Sequence, residues 1–237
     1  MISLLGLQTY KIIYYLVYGS FFVPQAYDLS HSPSRAFMNI GDQGQCGSCG
    51  AFALTHAYSM RLYLQYGIDY LPSPYALMNC YRINCSDGLS IEFIVKRMNN
   101  FRLADEGRAR PIYDLSACDI GNSSHHNHEQ NVEFYVINFQ SAVKADIYFN
   151  GPIAVSVAVD DQIWRYSGDS DTILPCLDAS VHREAGHMVV LVGWGENYWI
   201  IKNSWGYQWG SGGYAKISID CLDWGIAVQP VLGYNIV

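Results

Sequence analysis

The chain has 237 residues, half of them apolar, and a formal net charge of −7. That is ample core for one large domain or two small lobes. The acidic balance, with no block of like charges, no low-complexity run and no internal repeat, argues against a nucleic-acid surface and against long tails or linkers.

In chain order, residues 1–19 carry one charge, Lys11, followed by the apolar stretch Ile12 to Tyr18, too short to span a bilayer comfortably. A signal peptide cut near Gly19 is expected, with residues 20–237 as the remaining domain. Phe37 to Asn39 leads into a long helix from Cys49 to about Gln65, on which Phe52, Ala53, His56, Ala57, Met60, Tyr63 and Leu64 recur at spacings of three and four. A second helix is expected from Ser90 to Asn99, capped by Ser90, with Ile91, Ile94 and Met98 on one face. The second half reads as strands at Val132–Phe139, Pro152–Val159, His187–Trp194, Tyr198–Asn203 and Tyr214–Ile219. A short helix, Ser141–Asn150, interrupts them and is stopped by Gly151. The expected fold class is therefore α+β. A helical lobe over about 29–128 faces a small antiparallel barrel or sheet over about 129–228, with a cleft between them.

Cys49 stands in the run Gln43-Gly44-Gln45-Cys46-Gly47-Ser48-Cys49-Gly50 and opens the long helix. Unpaired backbone N–H groups and the positive end of the helix dipole stabilise negative charge on a sulfur placed there, and the thiolate is the attacking species of a cysteine nucleophile. Gly47 and Ser48 let the backbone approach a substrate carbonyl, so that the Cys49 N–H and the Gln43 amide could hold an oxyanion. His187 and Asn203 fall at the start of one strand and near the end of the next in an expected hairpin. There Asn203 can fix the imidazole and leave its other nitrogen for the thiol, with Trp205 and Trp209 shielding that hydrogen bond from water. Seven cysteines leave one over after three pairs, and the odd one is expected to be Cys49. The Cys46-x-x-Cys49 spacing also suits a redox pair or half a zinc site completed by Cys80 and Cys85, and His187 alone would suit an ordinary strand histidine. Together the two motifs favour nucleophilic chemistry with no metal and no cofactor.

These residues resemble the papain-like cysteine peptidases. The match runs through Gln43, Cys49, His187 and Asn203, and through Asn203-Ser204-Trp205-Gly206, Trp209-Gly210 and Gly213-Tyr214. It extends from Pro24-Gln25-Ala26-Tyr27-Asp28, similar to a mature amino terminus, to Cys221 and Gly225-Ile226-Ala227. Gly151-Pro152-Ile153 resembles a family segment, and its flank Asp146 to Asn150 leans toward the cathepsin B and X branches. The resemblance implies a two-lobe fold, a helical lobe against an antiparallel β-barrel lobe. It also implies peptide hydrolysis by Cys49 as nucleophile, His187 as base, Asn203 as orienting amide and Gln43 in the oxyanion hole. It pairs Cys46 with Cys85, Cys80 with Cys118, and Cys176 with Cys221, which places the protein in the secretory pathway, a lysosome or vacuole, or outside the cell. By the same resemblance Gly47 and Trp205 contact substrate and Gly88 pairs with its backbone. Leu89, Ser90, Ser156, Met188 and, at its floor, Gln229 line the pocket for the second side chain before the cut. A neutral floor favours an apolar side chain there. The implied partners are a peptide or protein substrate and cystatin-type inhibitors, for a monomer without a stable membrane span.

Three departures from the family pattern bear on activity. Gly50 stands where a tryptophan usually follows the nucleophile, which removes packing behind the site. Asp87-Gly88 replaces two glycines, and no long pro-segment separates Gly19 from Pro24. His125, His126 and His128 invite comparison with a carboxyl-binding histidine pair, although only about a dozen residues separate Cys118 from the strand at Val132, short for such a loop. Asn84 and Asn122 are glycosylation acceptors by motif alone. An endopeptidase is the expected function; the alternatives are a peptide-binding relative without turnover and an exopeptidase.

Overall fold

The computed structural model describes residues 23–80, 85, 91–100, 130–168, 171–176, 186–222 and 224–232. The expected signal peptide, Asn84, Asp87, Gly88, Leu89, Ser90, Cys118, Asn122 and the three histidines at 125, 126 and 128 lie outside these residues. The helices are α1 (Arg35–Met38), α2 (Cys49–Tyr66), α3 (Pro74–Cys80), α4 (Ile91–Asn100), α5 (Gln140–Asn150) and α6 (Asp161–Trp164). The strands are β1 (Tyr27–Asp28), β2 (Gln130–Asn138), β3 (Ile153–Val157), β4 (Ile173–Leu174), β5 (His187–Trp194), β6 (Tyr198–Lys202), β7 (Tyr214–Ser218) and β8 (Trp224–Leu232).

Helix α2 is the axis of the molecule. Every residue from Gly50 to Leu62 is buried, so its apolar stripe widens to the whole circumference, as in a helix enclosed on all sides. Gly67 ends it in the left-handed conformation, φ 69°, with its N–H donating to Tyr63 O at 2.8 Å. One core joins α2 to Met78, Ile94, Val190, Val192, Ile226 and Val228; a second gathers Ile153, Val155, Val189, Leu191, Trp199 and Ile201. Strand β5 alternates between the two, Val190 toward α2 and Val189 and Leu191 away from it, so the strand reads as an unbroken apolar run.

The strands form one sheet in the order β2-β8-β3-β5-β6-β7-β4, with β1 also pairing β5. Among the described residues only the β4·β7 contact is parallel. The mixed α+β architecture is as expected; among the described residues β2 pairs only β8 and the two-residue β4 only β7.

The expected long strands and helices recur to within two residues at each end. Strand β2 stops at Asn138 rather than Phe139 because Phe139 turns to φ 73° and precedes α5. Strand β8 carries a glycine and a proline, Gly225 and Pro230, and was not legible as a strand. It is tolerated because β3 meets β8 only at Ile226, so on that side Pro230 faces no ladder.

Candidate active site

The segment before Cys49 is stitched to the segment after Asn203. Gln43 N donates to Ser204 O at 2.9 Å, Gly206 N donates to Gly41 O at 3.1 Å, and Asp42 bridges to Trp205. From the other side Cys46 is disulfide-bonded to Cys85, and Gly47 N donates to Cys85 O at 2.8 Å. A Cβ on Gly47 would stand 2.8 Å from that same oxygen, so only glycine fits the approach. Cys176 is bonded to Cys221. Among the described residues Cys49 is the free cysteine, half-buried in the first turn of α2. With Cys46 engaged elsewhere, Cys46 and Cys49 do not form a redox pair, and no group of described residues could hold a metal ion.

Side chains continue the stitching. Ser204 Oγ donates to Gln43 Oε1 at 2.7 Å, and Gln43 Nε2 donates to Cys46 O at 2.8 Å. That leaves one N–H of the Gln43 amide for another acceptor. Ser204 N donates to Asn203 Oδ1 at 2.7 Å, and the same oxygen lies 2.7 Å from His187 Nε2. Held this way, the ring leaves Nδ1 for a different partner. Burial pushes the His187 imidazole down to about 4, opposed by the hydrogen bond to Asn203, so the ring is neutral at neutral pH.

Trp205 stacks on His187 with centroids 4.3 Å apart and planes 24° apart, and Trp209 meets Trp205 edge-on at 5.4 Å. The buried His187–Asn203 bond therefore lies beside aromatic cover.

Met188 and Ser156 are paired across β5 and β3, close to the start of α2. A Cβ on Gly50 would stand 3.1 Å from Ile94 Cδ1 and 3.4 Å from Met188 Sδ. Ile94 and Met188 thus stand beside Gly50, on the side to which a side chain at this position would point.

Gln229 stands apart from this group. Its Oε1 accepts from Arg61 Nη1 at 3.0 Å and Gln65 Nε2 at 3.3 Å, and its Nε2 donates to Gln65 Oε1 at 2.5 Å. Arg61 is twelve residues beyond Cys49 on α2, about 18 Å along the helix axis. The amide assigned to a pocket floor is committed to a polar cluster toward the other end of the helix.

Sequence reasoning passed over Arg61, the Ser204–Gln43 link and Trp164. Arg61 left a readable trace, the one cation on an apolar helix face. The other two have none, because each depends on a partner far away in sequence.

The sequence pattern of the papain family cysteine proteases matches residues 23–234. Among curated relatives, a viral cathepsin of a Cydia pomonella granulosis virus is 28% identical over 190 residues, covering 76% of this chain and 54% of its own length. Cathepsin B-like protease 1 of Arabidopsis thaliana is 25% identical, covering 80% of this chain and 56% of its own. The chain thus spans about half the length of these relatives. Among solved structures, procathepsin B S9 from Trypanosoma congolense superposes with a TM-score of 0.71 at 20% identity, covering 89% of this chain and 78% of that one. A Carica candamarcensis cysteine protease in complex with E-64 superposes with a TM-score of 0.64 at 21% identity, covering 87% of this chain and 99% of that one.

Proposed function

Because the chain belongs to the papain family of cysteine proteases, we propose that it hydrolyses peptide bonds with Cys49 as nucleophile, His187 as base and Asn203 as its orienting group. The observation that carries this reading is the 2.7 Å contact between His187 Nε2 and Asn203 Oδ1 on an imidazole that burial keeps neutral. A neutral ring can accept the thiol proton through Nδ1 as the sulfur attacks the substrate carbonyl. The Cys49 N–H and the second N–H of the Gln43 amide stabilise the oxyanion. The C–N bond then breaks, the amine leaves with the proton from His187, and water hydrolyses the thioester to a carboxylic acid and free Cys49.

The reading is of an endopeptidase that takes an apolar side chain next to Met188. The preference rests on Met188 and its neighbours, since the Gln229 amide is committed elsewhere. The two disulfides among the described residues suit an oxidising compartment of the secretory pathway or a lysosome. No helix among the described residues is long and apolar enough to cross a membrane.

Fluorogenic dipeptide amides under reducing conditions test the reading, together with labelling by E-64. Turnover by the wild type, its loss in Cys49→Ala and labelling confined to Cys49 are the expected results. A folded wild-type protein without turnover and with Cys49 unlabelled would overturn it.

A further inference from the structure

We propose that Tyr75 is a positioning residue of the peptidase site, whose hydroxyl fixes the Asp42–Gln43 peptide and so sets where the Gln43 amide meets the oxyanion. The proposal rests on the peptidase reading above. Tyr75 Oη donates to Asp42 O at 2.6 Å, and Gln43 N donates to Ser204 O at 2.9 Å. Both polar groups of one planar peptide unit are therefore held, the carbonyl from α3 and the N–H from the segment after Asn203. With that plane restrained, so is the direction in which the Gln43 side chain leaves the backbone. The restraint matters here because glycines flank the unit. Gly41 and Gly44 adopt φ 21° and 54°, and glycine opposes rotation of the backbone least. The bonds from Ser204 Oγ and to Cys46 O orient the head of the Gln43 side chain, whereas those at the Asp42–Gln43 peptide place its root.

The Tyr75 ring is itself braced. It lies edge-on to Phe52, with centroids 5.2 Å apart and planes at 90°, and Phe52 is three residues beyond Cys49 on α2. A Cβ on Gly41 would stand 2.6 Å from Phe52 Cε1, so the same phenyl ring also meets the glycine before Asp42. At the start of α3 Ser73 Oγ accepts from Ala76 N at 3.1 Å, and Leu77 and Met78 fix the helix in the first core. Tyr75 thus refers the Gln43 backbone to the helix that carries the nucleophile. The spacing between donor and sulfur is what an oxyanion site has to hold, since a donor displaced from the developing charge loses most of its effect.

Tyr75→Phe, made in the wild type and in Gln43→Ala, tests the assignment on a fluorogenic dipeptide amide and on the peptide aldehyde acetyl-Phe-glycinal. In the aldehyde adduct the Cys49 sulfur bonds the carbonyl carbon, and the former carbonyl oxygen, as oxyanion or hydroxyl, stands where the donors act. Its affinity therefore reads the donors without turnover. In the wild-type background Tyr75→Phe is expected to lower kcat about tenfold with KM little changed, and to weaken the aldehyde by a similar factor. In Gln43→Ala, which has no amide left to place, the same substitution should change neither. Alkylation of Cys49 by iodoacetamide forms no oxyanion and should keep the wild-type rate in Tyr75→Phe; a slowed alkylation would move the effect to Cys49 and overturn the proposal. An undiminished kcat and aldehyde affinity in Tyr75→Phe, or an equal loss in both backgrounds, overturns the positioning role and leaves the peptidase reading standing. If the wild type binds the aldehyde at Cys49 without turnover, the hydrolytic reading fails, and the aldehyde affinities decide the positioning role by the same comparison. A folded wild type that neither turns over nor binds the aldehyde overturns both.

Discussion

At neutral pH the His187 imidazole is uncharged, because burial pushes it from the ordinary histidine range down to about 4. In the unfolded chain the ring takes up a proton near pH 6.5, so protonation favours unfolding. The stability held by the neutral buried ring is present above pH 6.5 and lost as pH falls through about 4, on the order of 3 kcal/mol. Urea unfolding at pH 7 and at pH 4 should show a larger loss in the wild type than in His187→Gln; equal losses would count against a neutral His187. Ser204 is a second residue with a definable task, since its hydroxyl fixes which end of the Gln43 amide faces the site. Ser204→Ala is expected to lower kcat about tenfold with KM little changed, the scale of one hydrogen bond lost near the oxyanion. Ser204→Thr should recover part of the loss. A change confined to KM would assign Ser204 to substrate binding instead.

Among the elements, α2 is tied at both ends. Its start carries Cys49 and its far end carries Arg61, a fully buried guanidinium whose donors are all occupied. Nε donates to Pro152 O at 2.7 Å, Nη1 to Tyr135 Oη at 3.2 Å and Gln229 Oε1 at 3.0 Å, and Nη2 to Gly151 O at 3.0 Å and to Asp146. Asp146 also accepts from Tyr135 Oη at 2.9 Å and Asn150 Nδ2 at 2.6 Å, so α2, α5, β2 and β8 meet in one polar knot. Arg61→Ala leaves the Asp146 carboxylate buried without its cation, at an expected cost of about 3–5 kcal/mol. Arg61→Lys should recover little, because an ammonium cannot reach five directions in a plane. Equilibrium denaturation of the two variants decides this, and a loss below about 1 kcal/mol in Arg61→Ala would show the knot to be dispensable. The presence of an element was legible wherever a period persisted. Helix α2 and strands β5, β6 and β7 were, whereas four-residue α6 and two-residue β4 are too short to show one.

For the whole molecule, the chain order alone carried the pairing of motifs. Cys49 after Gln43, with His187 and Asn203 on a later hairpin, is a local pattern written in residue types. Helical spacing around Cys49 and apolar runs around His187 follow from backbone periods of 3.6 and 2. Those features established an α+β chain with a candidate thiol site. What only the tertiary structure decided is how the pieces meet. The Asp42–Trp205 bridge and the Ser204–Gln43 bond join residues about 160 apart in sequence. Ile94 and Met188 stand beside Gly50, Gln229 hydrogen-bonds to Arg61, and Trp164 continues the ring stack outward. Each is a contact between side chains from distant segments, set by packing and by the need of every buried polar group for a partner. Residue types state what a side chain can do, and the fold alone determines which neighbour it does it with.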